Sequence, residues 1–336
     1  MNPPRLPADN GFELFRWVAA LTVVVSHFCV LTRTALPVVP PTSEAVQFFF
    51  ILSGALTYCS YSVRPGALAF YRRRARRILP AYWGTVAFCV LVGVLFTEMP
   101  LRRFFAEADT WRYVGWNAVM LNRLQPTLPG VFADHANPVM DGSLWTMKYE
   151  VAFYLLLPLL VFLLRKTGRK SSLVVLYALL TLVQLALFVA SHYLSGATLR
   201  LLATRGVAQA VCFVAGMAVC EFYPWLSRYR RIALPVALVL AALSYWWWPL
   251  RVVWPAVFAT SVILLGTATR ALGWTRRLPS LTYELFLIHF PVVHVVVEAG
   301  VPQRLGVPGA FALCLGLSLL LAYLLRELVK PITCKR

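Results

Sequence analysis

Apolar residues along this chain fall into long runs separated by short polar clusters, rather than into amphipathic stripes or strict alternation. Ten runs approach the roughly 20 residues that cross a hydrocarbon core. They cover residues 13–33, 45–62, 79–98, 146–166, 171–192, 201–222, 231–248, 251–269, 280–297 and 308–328. The runs at 45–62 and 251–269 are short, and the link at Pro249 is tight. The pattern predicts an all-α polytopic membrane bundle of about ten transmembrane helices, forming one domain over residues 1–336. No internal repeat or low-complexity linker interrupts it.

The polar clusters alternate in charge. Every second one is basic: Arg64, Arg72, Arg73, Arg74, Arg76 and Arg77; Arg165, Lys166, Arg169 and Lys170; Arg228, Arg230 and Arg231; Arg270, Arg276 and Arg277. Lys330, Lys335 and Arg336 follow the last run, whereas the intervening short loops hold little beyond Arg33, Arg200, Arg251 and Arg304. Under the positive-inside rule, both termini are expected to be cytoplasmic and the protein multi-pass in the cell inner (plasma) membrane. One loop is long. Residues 99–145, expected on the outer side, include Trp111, Trp116, Asp134, His135 and Asp141. Loops of that length in compact proteins are usually functional.

Composition agrees with a lipid solvent. The 336 residues are 60% hydrophobic and only 13% charged, with a mean hydropathy of +0.71, and soluble domains carry about 25% charged residues. The net charge of +19 would suit nucleic acid if it lay on one polar face. It is instead spread over loop clusters, which points to membrane lipids as the partner and away from nucleic acid. Cys29, Cys59, Cys89, Cys212, Cys220 and Cys314 lie inside apolar runs without a CxxC spacing, so neither a metal site nor a disulfide is expected. No small-residue cleavage site follows the first run, so that span is expected to be retained.

Polar groups inside a bilayer cost about 2.5–3.5 kcal/mol each on insertion scales, which makes them functional candidates. Arg16 and His27 share the first run, eleven residues apart, so His27 lies about 16 Å further along a helix and on nearly the same face. Ser53-Gly54 falls near the middle of the second run. Gly54 suits close helix approach, and Ser53, lacking a GxSxG elbow, suits hydrogen bonding better than nucleophilic attack. Arg73, Arg74, Arg76 and Arg77 precede Pro80, expected to open the third span. That is more positive charge than topology needs, and guanidinium binds phosphate bidentately, as the phosphates of a coenzyme A require. Glu150 lies about 10 Å inside its span, a depth similar to that of His27, where a carboxylate can fix an imidazole tautomer. Glu284 and His289 are a further intramembrane pair, five apart and so not on one face; His294 is expected at the interface.

In order, these stretches are Arg16 with His27, Phe49-Phe50-Ile51-Leu52-Ser53-Gly54, the run Arg73 to Tyr82, Ser143 to Tyr154 (SLWTMKYEVAFY), and Tyr283, His289 and Pro291. The set resembles integral membrane acyltransferase family 3, whose members O-acylate surface polysaccharides, lipopolysaccharide, peptidoglycan, Nod factors and macrolides. The resemblance implies ten core helices, a cytoplasmic acyl-coenzyme A donor (acetyl-CoA foremost), no metal, and catalytic roles for Arg16 and His27. It also implies transfer across the membrane to a hydroxyl of a glycan or similar acceptor, with Tyr154 and His289 as structural or substrate residues. This chain has Glu150-Val151 where the family often has Glu-Glu, and Glu44-Ala45-Val46-Gln47 where glycines are common. It ends soon after its last run, so no C-terminal hydrolase-like domain is expected. The competing reading is a transporter or flippase with a His/Glu proton relay, against which stands the lack of a two-fold repeat of broken helices.

Overall fold

The computed structural model of the chain describes residues 3–35, 42–194, 196–269 and 280–333. Among these residues there is no strand. The helices are α1 (Phe12–Thr32), α2 (Thr42–Val63), α3 (Ala67–Phe96), α4 (Leu101–Ala106), α5 (Ala108–Ala118), α6 (Met147–Thr167), α7 (Arg169–Tyr193), α8 (Ala197–Leu201), α9 (Ala208–Arg228), α10 (Arg230–Trp246), α11 (Trp254–Ala268), α12 (Thr282–Glu298) and α13 (Val301–Thr333). A π-helical turn at Leu202–Val207 joins α8 to α9, and α13 is broken at Gly306, whose φ is 67°. A bilayer interior offers no water to bond backbone amides, and a helix satisfies them within its own segment. The protein is an all-α membrane bundle.

Each of the ten apolar runs coincides with a helix. Among the described residues, seven segments are long and apolar enough to cross a membrane: Phe12–Thr32, Thr42–Val63, Ala67–Phe96, Leu144–Thr167, Arg169–Tyr193, Ala197–Arg228 and Val301–Thr333. The other three, α10, α11 and α12, have 17, 15 and 17 residues. They are shorter than the roughly 20 residues of an upright crossing.

Two expectations change. Pro80 does not begin a helix: α3 is one helix of 30 residues with Pro80 in its interior. The arginines before it are good helix formers, and one missing amide bond does not end a helix in a packed membrane protein. The cysteines are not all free either. Cys59 on α2 and Cys220 on α9 form a disulfide with Cα atoms 6.8 Å apart, while Cys29, Cys89, Cys212 and Cys314 are buried thiols outside it. A bridge spanning 161 residues between two apolar helices leaves no spacing signal. Arg270, Arg276, Arg277, Lys335 and Arg336 lie outside the described residues.

The helices group into two compact units. One holds α2, α6, α7, α8, α9, α10 and α11; the other holds most of α1 with α3, α4, α5, α12 and α13. In the first, α2 and α9 cross at glycines. A Cβ on Gly54 would stand 2.0 Å from the Phe213 carbonyl oxygen, and one on Gly216 would stand 2.1 Å from that of Ile51. Only hydrogen fits there. In the second unit, Phe28 and Leu31 of α1 pack with Phe290, Val292, Val293 and Val296 of α12 and with Ala310 and Cys314 of α13. The long 99–145 segment belongs to this unit. It begins with α4 and α5 and continues through turns marked by positive φ at Met120, Gly130 and Phe132.

Candidate active site

His27 projects from α1 in the second unit, half-buried. Its Nδ1 lies 2.8 Å from Nε2 of His289 on α12, and the rings are nearly parallel, 7° apart in plane with centroids 5.1 Å apart. Nδ1 of His289 lies 3.0 Å from the Leu285 carbonyl oxygen one turn back. That oxygen only accepts, so Nδ1 of His289 carries hydrogen. His289 is fully buried, where an unpaired cation is costly; its Nε2 is therefore bare and accepts from Nδ1–H of His27. Two neutral imidazoles supply the two hydrogens these links need. The remaining nitrogen, Nε2 of His27, keeps its lone pair. Phe290 closes one side, edge-on to the His27 ring at 5.0 Å.

Glu150, Tyr154 and Ser53 form a second chain, in the first unit. The Tyr154 hydroxyl donates to Glu150 Oε1 at 2.5 Å, which leaves its oxygen to accept from Ser53 Oγ at 2.9 Å. One turn of α6 thus places the carboxylate and the phenol in register, and α2 brings the serine. Gly54, the neighbour of Ser53, is the point of closest approach between α2 and α9. His27 and Glu150 belong to different units, and each has the partner just described, His289 for the imidazole and Tyr154 for the carboxylate.

Arg16 pairs with Glu13, one turn earlier on α1, at 3.1 Å. Arg73, Arg76 and Arg77 are exposed on α3 and Arg74 is half-buried. A separate basic cavity of about 350 Å³ is lined by Pro3, Ser62, Arg165, Gly168 and Arg169. Its charge is partly balanced, since Arg169 faces Glu221 at 3.6 Å and Glu221 also accepts from the Tyr58 hydroxyl at 2.7 Å. No cluster of three or more His, Cys, Asp or Glu with metal-binding geometry occurs among the described residues.

Three features of the second unit carry no signal in the sequence reading. His289 is the partner of His27, although the two are 262 residues apart. His294, expected at an interface, is fully buried and bonded to His135 at 2.6 Å; the 99–145 segment folds over it. Asp141, just before the SLWT motif, is buried, and burial pushes its carboxyl up to about 7 despite bonds from Ser143. Those bonds are from the backbone N–H at 2.8 Å and the hydroxyl at 2.6 Å, both to Oδ1.

Helical bundle, intramembrane imidazole and arginine-bearing helix together define a multi-pass membrane protein with a buried polar site. The chain matches the acyltransferase family 3 model, described as an acyltransferase domain, over residues 9–327, and it belongs to that family. It is similar to Nodulation protein 10 of Rhizobium leguminosarum bv. viciae, 30% identical over 183 residues, which is 51% of this chain and 49% of that protein. It is also similar to Acyltransferase MdmB of Streptomyces mycarofaciens, 26% identical over 172 residues (49% of this chain, 42% of the relative). A third relative is the O-acetyl transferase of Shigella phage Sf6, 30% identical over 152 residues, 44% of each. The matches span about half the length of these relatives or a little less. No solved structure matches.

Proposed function

We propose that this protein is a membrane O-acyltransferase that moves an acyl group, acetyl foremost, from acyl-coenzyme A to a hydroxyl of a glycan or related acceptor. The observation that carries the reading is Nε2 of His27, which has no hydrogen-bond partner among the described residues and whose lone pair is left free when Nδ1–H bonds to His289. Family membership and a relative named O-acetyl transferase support the same chemistry.

In this reading His27 Nε2 removes the proton from the acceptor hydroxyl as its oxygen attacks the thioester carbonyl. The C–S bond then breaks, and the proton passes from the imidazolium to the leaving thiolate, so no net proton is consumed. General base catalysis of this kind contributes about 10²–10⁴-fold. Arg16 and the α3 arginines Arg73, Arg74, Arg76 and Arg77 hold the phosphates of the donor, which guanidinium groups bind bidentately; Arg73, Arg76 and Arg77 are the exposed ones. Within the first unit, Glu150, Tyr154 and Ser53 offer linked hydrogen-bonding groups suited to hydroxyls of the acceptor.

Reconstituted vesicles test the proposal. Acyl-coenzyme A and a hydroxyl acceptor should release free thiol only when both are present, and H27A should abolish release at an unchanged protein level. Thiol release that persists in H27A removes this residue from the mechanism. Substrate flux without thiol release would instead support transport.

A further inference from the structure

A second imidazole pair sits at the C-terminal end of α12, and its hydrogen count differs from that of the first. Glu298 Oε2 lies 2.8 Å from Nε2 of His135. Nδ1 of His135 lies 2.6 Å from Nδ1 of His294. Nε2 of His294 lies 3.0 Å from the Val139 carbonyl oxygen. The chain ends on a carbonyl and on a carboxylate, and each link needs one hydrogen. Two neutral imidazoles supply two hydrogens for three links. With both spent on the outer links, two lone pairs would face each other at 2.6 Å, which repels. We infer that Glu298, His135 and His294 together bind one further proton, and that this shared proton clasps the 132–139 segment onto α12.

The surroundings favour it. Phe132 stacks on both rings, with centroids 4.8 Å from His135 and 4.7 Å from His294, and beneath it the two imidazoles meet edge to edge, 26° apart in plane with centroids 4.9 Å apart, the in-plane approach that an N–H···N link needs. The Glu298 carboxylate balances the added charge. Of the other groups near the pair, Phe290 meets His294 edge-on, α13 brings Val301 and Val307 to α12, Asp134 and Arg304 are exposed, and Asp141, buried two residues past Val139, accepts from the Ser143 amide and hydroxyl. A metal does not fit between the rings, because two imidazole nitrogens bound at about 2.0–2.1 Å to one tetrahedral ion sit about 3.3 Å apart.

The sign follows from the count. The closed clasp holds a proton that the open one releases, so closing raises proton affinity; the clasp is secure at low pH and lost as pH rises through its midpoint. Opening frees the segment beside Gly142, where a Cβ would stand 2.5 Å from Phe290, the ring that borders His27. The inference does not depend on acyl transfer, and its test reads the segment directly.

Hydrogen–deuterium exchange on the detergent-solubilised full chain, corrected for intrinsic rates, gives the measurement. Peptides covering 131–141 contain the His135 amide, bonded to the Phe132 carbonyl, and the Met140 amide, bonded to the Pro126 carbonyl. In an Asp141→Asn background, which removes the buried carboxyl that itself titrates near 7, their protection should fall at least tenfold between pH 5.5 and 9, while peptides from α3 hold theirs. Glu298→Gln, at a partly exposed position, keeps an acceptor but removes the balancing charge, and should move the loss to lower pH. His135→Phe keeps the stacking and should leave protection low and independent of pH. Protection in the Asp141→Asn chain that ignores pH, or a transition that Glu298→Gln leaves in place, overturns the inference.

Discussion

His27 and His289 lie with their rings parallel and share an N–H···N bond of 2.8 Å. The second ring holds the first in the tautomer whose outer nitrogen is a base, the task a carboxylate performs in many hydrolases. A neutral orienter is suited to a bilayer interior, where a carboxylate would itself need a partner.

The pair can be separated kinetically. His289→Phe removes the acceptor for His27 Nδ1–H while keeping an aromatic ring of similar size. The turnover rate should fall at least tenfold, with the KM for acyl-coenzyme A within about threefold of the native value. His289→Gln can accept through its carbonyl and donate through its amide, so it should recover part of the rate. Equal losses in the two variants would mean that His289 only fills space.

For the Glu150–Tyr154–Ser53 chain the order of damage is expected to be steep. Tyr154→Phe strips Glu150 Oε1 and Ser53 Oγ of a shared partner and should cost about 1–3 kcal/mol, read as a lower melting temperature in detergent. Ser53→Ala should cost about 1 kcal/mol and keep activity within about fivefold. An acylated Ser53 peptide trapped by mass spectrometry would contradict that role.

Asp141 should give the protein a pH-dependent stability. Burial raises its carboxyl to about 7 in the fold, against about 3.9 in an unfolded chain. The folded state thus holds a proton that the unfolded state releases, so stability is full below about pH 4 and declines as pH rises towards 7. Asp141→Asn keeps an acceptor for Ser143 and carries no charge. It should flatten this decline and raise the melting temperature at pH 8 more than at pH 5, an effect on the order of 2–4 kcal/mol.

Substitution at the α2–α9 crossing should be severe. Gly54→Ala places a methyl 2.0 Å from a backbone oxygen, which no rotamer relieves, so the helices must separate. The variant should reach the membrane at a small fraction of native levels or melt at least 10 °C lower, measured by fluorescence-detected size exclusion after heating.

The helices were legible because lipid imposes a length and an apolarity on every crossing segment, and ten runs became ten helices. Arg16 and His27 stood out as polar groups where polarity is expensive. Partners were another matter. His289 appeared as an isolated intramembrane histidine, since a contact across 262 residues has no period in the sequence. Glu150 appeared matched to His27 by depth, and its bond from Tyr154, one turn on in the same helix, went unread although both residues stand in one motif. His135 and Asp141 lay in a long polar segment whose turns, set by positive φ at Met120, Gly130 and Phe132, are invisible to apolar periodicity.

That α3 runs unbroken from Ala67 to Phe96 makes its arginines part of a screw thread instead of a tether. Each residue advances the thread by about 1.5 Å and turns it by about 100°, so Arg73 and Arg77 point the same way while Arg72 and Arg76 share a neighbouring bearing. An alanine inserted ahead of Ala67 leaves those bearings locked to the span. The same alanine inserted between Arg77 and Pro80 swings the whole set a quarter-turn or more away from whatever it grips.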